Sequence, residues 1–169
     1  LASVEKRQQL EQPEELDLAD ILRHELEAKR PLAQKKQLHL ELSCQGDTLL
    51  QGEAFLLEQA VSNLLDNAIE FCLPEGRVEL ELCGESEEPL QLKVRNDGPA
   101  VPDYALARVF ERFYSLPRPD SQRKSTGLGL SFVSEITQLH HGQIKLYNLD
   151  AGGVEVCLTL PREQPDQSS

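Results

Sequence analysis

Residues 53–71 read EAFLLEQAVSNLLDNAIEF, and the organisation of the chain can be worked outward from this stretch. Leu57, Val61, Leu64 and Ala68 recur at intervals of three and four, which places them in one apolar stripe on an α-helix. Asn63, Asn67 and Glu70 fall at spacings of four and three and line one edge beside that stripe. A helix with such a stripe needs a surface to cover. Residues 38–42, 78–82, 90–94, 144–146 and 154–160 each alternate apolar and polar, the pattern of a strand with one buried face and one wetter face. Five such runs predict a sheet covered on one side only. Two more helices complete the cover. One is capped by Asp17, carries Leu18, Ile21, Leu22 and Leu26 on one stripe and runs towards Pro31. The other spans about 128–139, with Leu128, Phe132, Ile136 and Leu139 in step. The predicted class is α+β, a two-layer α/β sandwich with a mixed sheet of about five strands under three helices. The sheet is mixed because strands first alternate with helices and later come as neighbours. Gly152-Gly153 supplies the last hairpin turn.

The chain has 169 residues, enough for one domain with a proper core and too few for two. It begins at Leu1 and contains no Met, so an excised piece of a longer protein is expected. Residues 1–12 read as the end of an upstream helix closed by Pro13, residues 13–161 as the domain, and 162–169 as a polar, disordered tail. With 29 acidic against 17 basic residues the formal net charge is −12, which makes nucleic acid and anionic membrane surfaces poor direct partners. No stretch approaches the roughly 20 apolar residues of a membrane-spanning helix. Cys44, Cys72, Cys83 and Cys157 show no paired spacing and read as small apolar fillers in a reducing compartment. His39, His140 and His141 lack carboxylate or cysteine partners at metal-ligand spacing.

Chemistry is concentrated in three places. On the 53–71 helix, an asparagine carbonyl oxygen is a hard ligand suited to Mg2+, although two asparagines by themselves also fit a solvated face. Asn96-Asp97-Gly98-Pro99-Ala100-Val101-Pro102 follows a strand directly. A polar group and a glycine there can approach a planar ligand such as a purine, and the same residues make an ordinary turn. Ser125-Thr126-Gly127-Leu128-Gly129-Leu130 opens a helix, where backbone N–H groups and the helix dipole favour phosphate. Between the strand that ends at 94 and the last long helix lies an irregular stretch, 95–126, whose length points to function.

The combination resembles the histidine-kinase ATPase family, which also includes gyrase and MutL. Asn63 to Phe71 resembles its N box, 96–102 the first glycine box, Val109-Phe110-Glu111-Arg112-Phe113-Tyr114 the F box, and 125–130 the second glycine box. The resemblance covers about 17–161, and residues 111–119 and 127–135 look most like the CreC-type sensor kinases. It implies a Bergerat-type fold holding ATP and Mg2+ between the Asn63 helix and a mobile lid over roughly 114–126. It assigns Mg2+ to Asn67, phosphate support to Asn63, adenine packing to Phe71 and the adenine amine to Asn96, with Gly98, Phe110, Phe113, Thr126, Leu128 and Leu130 lining the site. The Gly127 and Gly129 amides would receive phosphates, and Arg118, Arg123 and Lys124 are lid cations for the γ-phosphate. The implied activity is phosphoryl transfer to a histidine on an upstream helical hairpin that also dimerises, and the implied further partner is a response regulator. The parent would be a homodimeric inner-membrane receptor with this domain in the cytosol.

Four positions depart from the family pattern. Asn96 stands where an aspartate usually reads the adenine amine, Glu70 where a lysine commonly contacts phosphate, and Ala100 and Ser125 where glycines are usual. Asn63 stands where hydrolytic relatives carry a glutamate that activates water, so phosphoryl transfer is expected rather than rapid hydrolysis. His24-Glu25-Leu26 mimics the start of the phospho-acceptor box, but it lies in the first covering helix and Pro31 comes too late. The rival reading is a degenerate docking module of the same fold. A stand-alone ATPase or serine kinase fits less well with a preceding helix end.

Overall fold

The structure, a computed structural model, describes residues 10–85, 87–111 and 129–165. Strand β1 (Glu14–Asp17) ends on the cap of helix α1 (Leu18–Gln34). Asp17 Oδ1 accepts the Ala19 N–H at 3.0 Å and the Thr48 hydroxyl at 2.5 Å, so one carboxylate starts the helix and ties it to the next loop. The helix does not stop at Pro31 but continues to Gln34. Proline removes one helical hydrogen bond, and the last turn is held instead by Ala33, which is buried.

Strands β2 (His39–Gly46) and β3 (Leu49–Gly52) lead to helix α2 (Ala54–Phe71), and β4 (Arg77–Gly84) and β5 (Leu90–Asn96) follow. Helix α3 (Asp103–Leu106) is a single turn. Helix α4 (Gly129–Leu139) precedes β6 (Gln143–Asn148) and β7 (Val154–Leu160). The main sheet has five strands in the order β2-β4-β5-β7-β6. Among the described residues only β2 and β4 pair in parallel, so the sheet is mixed as expected, and the three long helices cover one face. Gly152 and Gly153 turn the last hairpin at φ +101° and +97°, values that few residues with a Cβ tolerate.

The core lies between the layers. Leu22, Leu57, Leu64, Leu65 and Ile69 of the helices meet Val78, Leu80, Leu82, Leu92 and Leu158 of the sheet, all buried. Each such side chain contributes about 1.5–3 kcal/mol by leaving water. The opposite face is charged: Arg95 Nε donates to Glu155 at 2.8 Å and its Nη1 to Glu81 at 3.1 Å. The four cysteines are free.

Two features differ from the expectations. Strands β1 and β3 form a separate two-stranded antiparallel sheet, too short for alternation to reveal. Residues 10–12 are not helical, and Leu10 is buried in the core, while residues 1–9 lie outside the described ones. Arg162 and Gln164 bond to the body of the domain. Arg162 donates to the carbonyls of Glu88 and Leu49, Gln164 Nε2 donates to His140 O, and Gln51 N–H donates to Arg162 O at 2.7 Å. Polar groups of Arg162 and Gln164 thus take the place of water as partners of backbone groups beside β3.

Candidate functional site

The α2 helix sets the geometry of the site. Leu64 and Leu65 are buried and fix the rotation of the helix, which leaves Asn63, Asn67 and Glu70 half-buried along one edge. Lys29 holds Asp66 at 2.8 Å. The C-terminal carbonyls of α2 need partners, and Lys36 Nζ supplies them, donating to Ile69 O at 2.9 Å and Glu70 O at 3.1 Å. Lys36 lies outside the helix, and no sequence pattern pointed to it.

The start of α4 meets this edge. A Cβ placed on Gly129 would stand 3.0 Å from Asn67 Nδ2. The absence of a side chain at 129 therefore lets the first described turn of α4 approach the Asn67 amide closely. Asn67 and Gly129, far apart in sequence, become neighbours.

The second group gathers where α2 ends. Asn96 is the last helix-facing residue of β5, continuing the buried row of Leu90, Leu92 and Val94. It is only 8% exposed, and its Nδ2 has no hydrogen-bond partner among the described residues. A Cβ on Gly98 would fall 2.4 Å from Phe71 O and 2.6 Å from Asn96 Nδ2, so glycine is required there for the loop to pass. Asp97 fastens the loop from both sides: its Oδ2 accepts Arg77 N–H at 2.8 Å and its carbonyl accepts Leu73 N–H at 2.7 Å. Farther on, the Asn148 side chain brackets Val101, accepting its N–H at 2.8 Å and donating to its carbonyl at 2.9 Å. Asn148 and Asp97 position the loop, and sequence reasoning missed both roles because each depends on a residue distant in the chain.

Beyond Val101, the stretch expected to be irregular contains α3 and a small second core. Val101, Ala105, Val109 and Val154 are buried together, with Phe110 and Leu130 packed against them. Phe110 and Leu130 are thus brought together as packing residues. At the other end of α2, Glu53 Oε1 accepts the N–H groups of Glu11 and Gln12. Its backbone N–H donates to His140 Nε2 at 3.1 Å. His140 is fully buried, and with Nε2 accepting, Nδ1 carries the proton and donates to Ile136 O at 2.8 Å. This histidine links α4 to α2 and is not a metal ligand in waiting.

Of the predicted site residues, Asn63, Asn67 and Gly129 lie along the α2 edge and Phe71, Asn96 and Gly98 where α2 ends, while Phe110 and Leu130 pack in the small second core. Phe113, Arg118, Arg123, Lys124, Thr126, Gly127 and Leu128, with the expected lid, lie outside the described residues. Among the described residues no three His, Cys, Asp or Glu side chains gather to hold a metal. A Mg2+ at this edge would rely on an amide oxygen, with water and phosphate oxygens completing its shell, which is a donor set this ion accepts.

Residues 52–164 match the family model described as histidine kinase-, DNA gyrase B- and HSP90-like ATPase. The chain is 44% identical over 147 residues to the sensor protein CreC of Escherichia coli (strain K12), covering 87% of this chain and 30% of that protein. It is 34% identical over 145 residues to the heme sensor protein HssS of Staphylococcus haemolyticus (strain JCSC1435), covering 85% and 30%. The chain thus spans about 30% of the length of these curated relatives. Among solved structures, a mycobacterial sensor histidine kinase, MprB, superposes with a TM-score of 0.78 at 25% identity, covering 91% of this chain and all of that one. Full-length ShkA in complex with AMPPNP superposes at 0.80 and 23% identity, covering 99% of this chain and 35% of that one.

Proposed function

Since the chain belongs to the histidine kinase-, DNA gyrase B- and HSP90-like ATPase family, we propose that it is the ATP-binding catalytic domain of a two-component sensor histidine kinase. The observation that supports this reading is the contact between α2 and α4: Asn67 lies against Gly129, the pair to which the reading gives the cation and the phosphates. Bound here, Mg2+-ATP would supply an activated γ-phosphoryl group whose charge the cation offsets.

The residues divide the task. Asn67 would give its amide oxygen to Mg2+, Asn63 would support the phosphates one turn earlier, and the helix end at Gly129 would receive them. Phe71, Gly98 and Asn96 would hold the base. The chain's own part is to position the nucleotide. Asn63 has no carboxylate with which to take a proton from water, so the γ-phosphoryl group is preserved for a histidine on an upstream helical hairpin. In the parent protein that hairpin would also dimerise, a response regulator would receive the phosphoryl group, and an inner-membrane receptor would place this domain in the cytosol.

The test is titration of the chain with a non-hydrolysable ATP analogue and Mg2+, with and without Asn67→Ala, followed by autophosphorylation after the hairpin is added back. Saturable binding that falls about tenfold or more in the variant supports the reading. No binding at millimolar analogue would point instead to a docking module of the same fold, and an Asn67→Ala kinase of undiminished activity would remove Asn67 from the site.

A further inference from the structure

Asn96 poses a question that the reading above does not answer. Its backbone cannot move away, because β5 pairs there with Val78 on one side and Val154 on the other, and a Cβ on the adjacent Gly153 would come within 2.5 Å of Asn96 O. Its side chain is more than nine-tenths buried, yet Nδ2 has no acceptor among the described residues. A buried donor without a partner disfavours the folded state by about tenfold or more in an equilibrium constant. A ligand oxygen seated beside Gly98 would relieve that cost.

We propose that Asn96 makes the site indifferent to whether a purine carries an amine or a carbonyl at position 6, so that the chain binds 6-oxopurine nucleoside triphosphates as well as ATP. The proposal rests on the nucleotide reading above and concerns which base that site takes. A carboxamide carries an acceptor and a two-proton donor on one carbon, and a half-turn about its last bond exchanges them with almost no change of shape. With Oδ1 towards the base, Asn96 accepts from an adenine amine. With Nδ2 towards it, Asn96 donates to a 6-oxo group, the partner this nitrogen lacks. Either pairing is a neutral hydrogen bond of similar strength. A carboxylate at the same place has no donor and would set its lone pairs against those of a 6-oxo group, while its bond to the adenine amine would be charge-assisted.

The experiment is competition of ATP and ITP, each with Mg2+, against a fluorescent ATP analogue bound to the whole chain and to Asn96→Asp. Inosine differs from adenosine at position 6 and in carrying a proton on N1, without the extra 2-amino group of guanosine, so the change of the ATP-to-ITP ratio between the parent and Asn96→Asp is what assigns the effect to the side chain at 96. The parent chain is expected to bind the two within about threefold, and Asn96→Asp to favour ATP by about tenfold or more. Circular dichroism and melting establish that the variant is folded, and the parent's ratio tests the proposal without it. A parent that prefers ATP by more than about tenfold, or a ratio that Asn96→Asp does not move, overturns the proposal and leaves the nucleotide reading standing. If neither nucleotide displaces the analogue at millimolar concentration, the nucleotide reading fails and the proposal with it.

Discussion

Gly98→Ala tests the crowding at the end of α2 most directly. The new Cβ would begin 2.4 Å from Phe71 O and 2.6 Å from Asn96 Nδ2, roughly 1 Å inside an ordinary carbon–oxygen contact. The Asn96 amide can turn, but Phe71 O belongs to a backbone held by Leu73 N–H on Asp97 O at 2.7 Å and by Lys36 on the neighbouring carbonyls. The loop must therefore move outward. Such overpacking costs about 1–3 kcal/mol, while replacing glycine returns about 0.4–1 kcal/mol through the unfolded chain. The net loss is about 1–2 kcal/mol, which for a chain of this size lowers Tm by about 2–8 °C. Displacing Asn96 should also weaken binding of an ATP analogue by about tenfold. Thermal melting by circular dichroism and a fluorescence titration read the two effects. A variant as stable as the parent, or more stable as the glycine term alone would make it, refutes the contact on which the loop geometry rests.

Gly129→Ala should behave differently: its Cβ meets only the movable end of Asn67 at 3.0 Å, so melting should hold while Mg2+-nucleotide affinity falls. Equal affinity in that variant would separate Gly129 from the phosphate site. His140→Leu removes the acceptor of Glu53 N–H, a part-buried contact on a fully buried ring, and a loss of about 1–2 kcal/mol is expected in a urea titration; a change near zero would mean that the link between α2 and α4 is not formed. Burial raises the Cys72 thiol above its ordinary value of 9.0. Above that pH the unfolded chain gives up the proton first, so stability is retained below it and declines as pH rises. Denaturation midpoints from neutral to alkaline pH should fall more steeply in the parent than in Cys72→Ala, and identical slopes would contradict the assignment.

The main layers were legible in the sequence because their cause is local. The stripe Leu57, Val61, Leu64 and Ala68 and the alternation of Val78 to Leu82 are set by the repeat of a helix and of a strand, and the burial of those residues follows the same repeat. The candidate site was proposed from residue types for a related reason: an amide on a helix edge and a glycine opening a helix suit a cation and a phosphate, and their order along the chain resembles that of the family. Tertiary structure alone decided which of them meet. That Asn67 lies beside Gly129, that Asn148 brackets Val101, that Lys36 closes the end of α2 and that Asn96 is left with an unpartnered donor all depend on contacts between residues 33 to 62 positions apart, or on a partner missing from the described surroundings. Residue periodicity reports which face of an element is buried. It carries no information about the distance between two faces once they pack, and hydrogen bonds and ligand contacts are set by that distance.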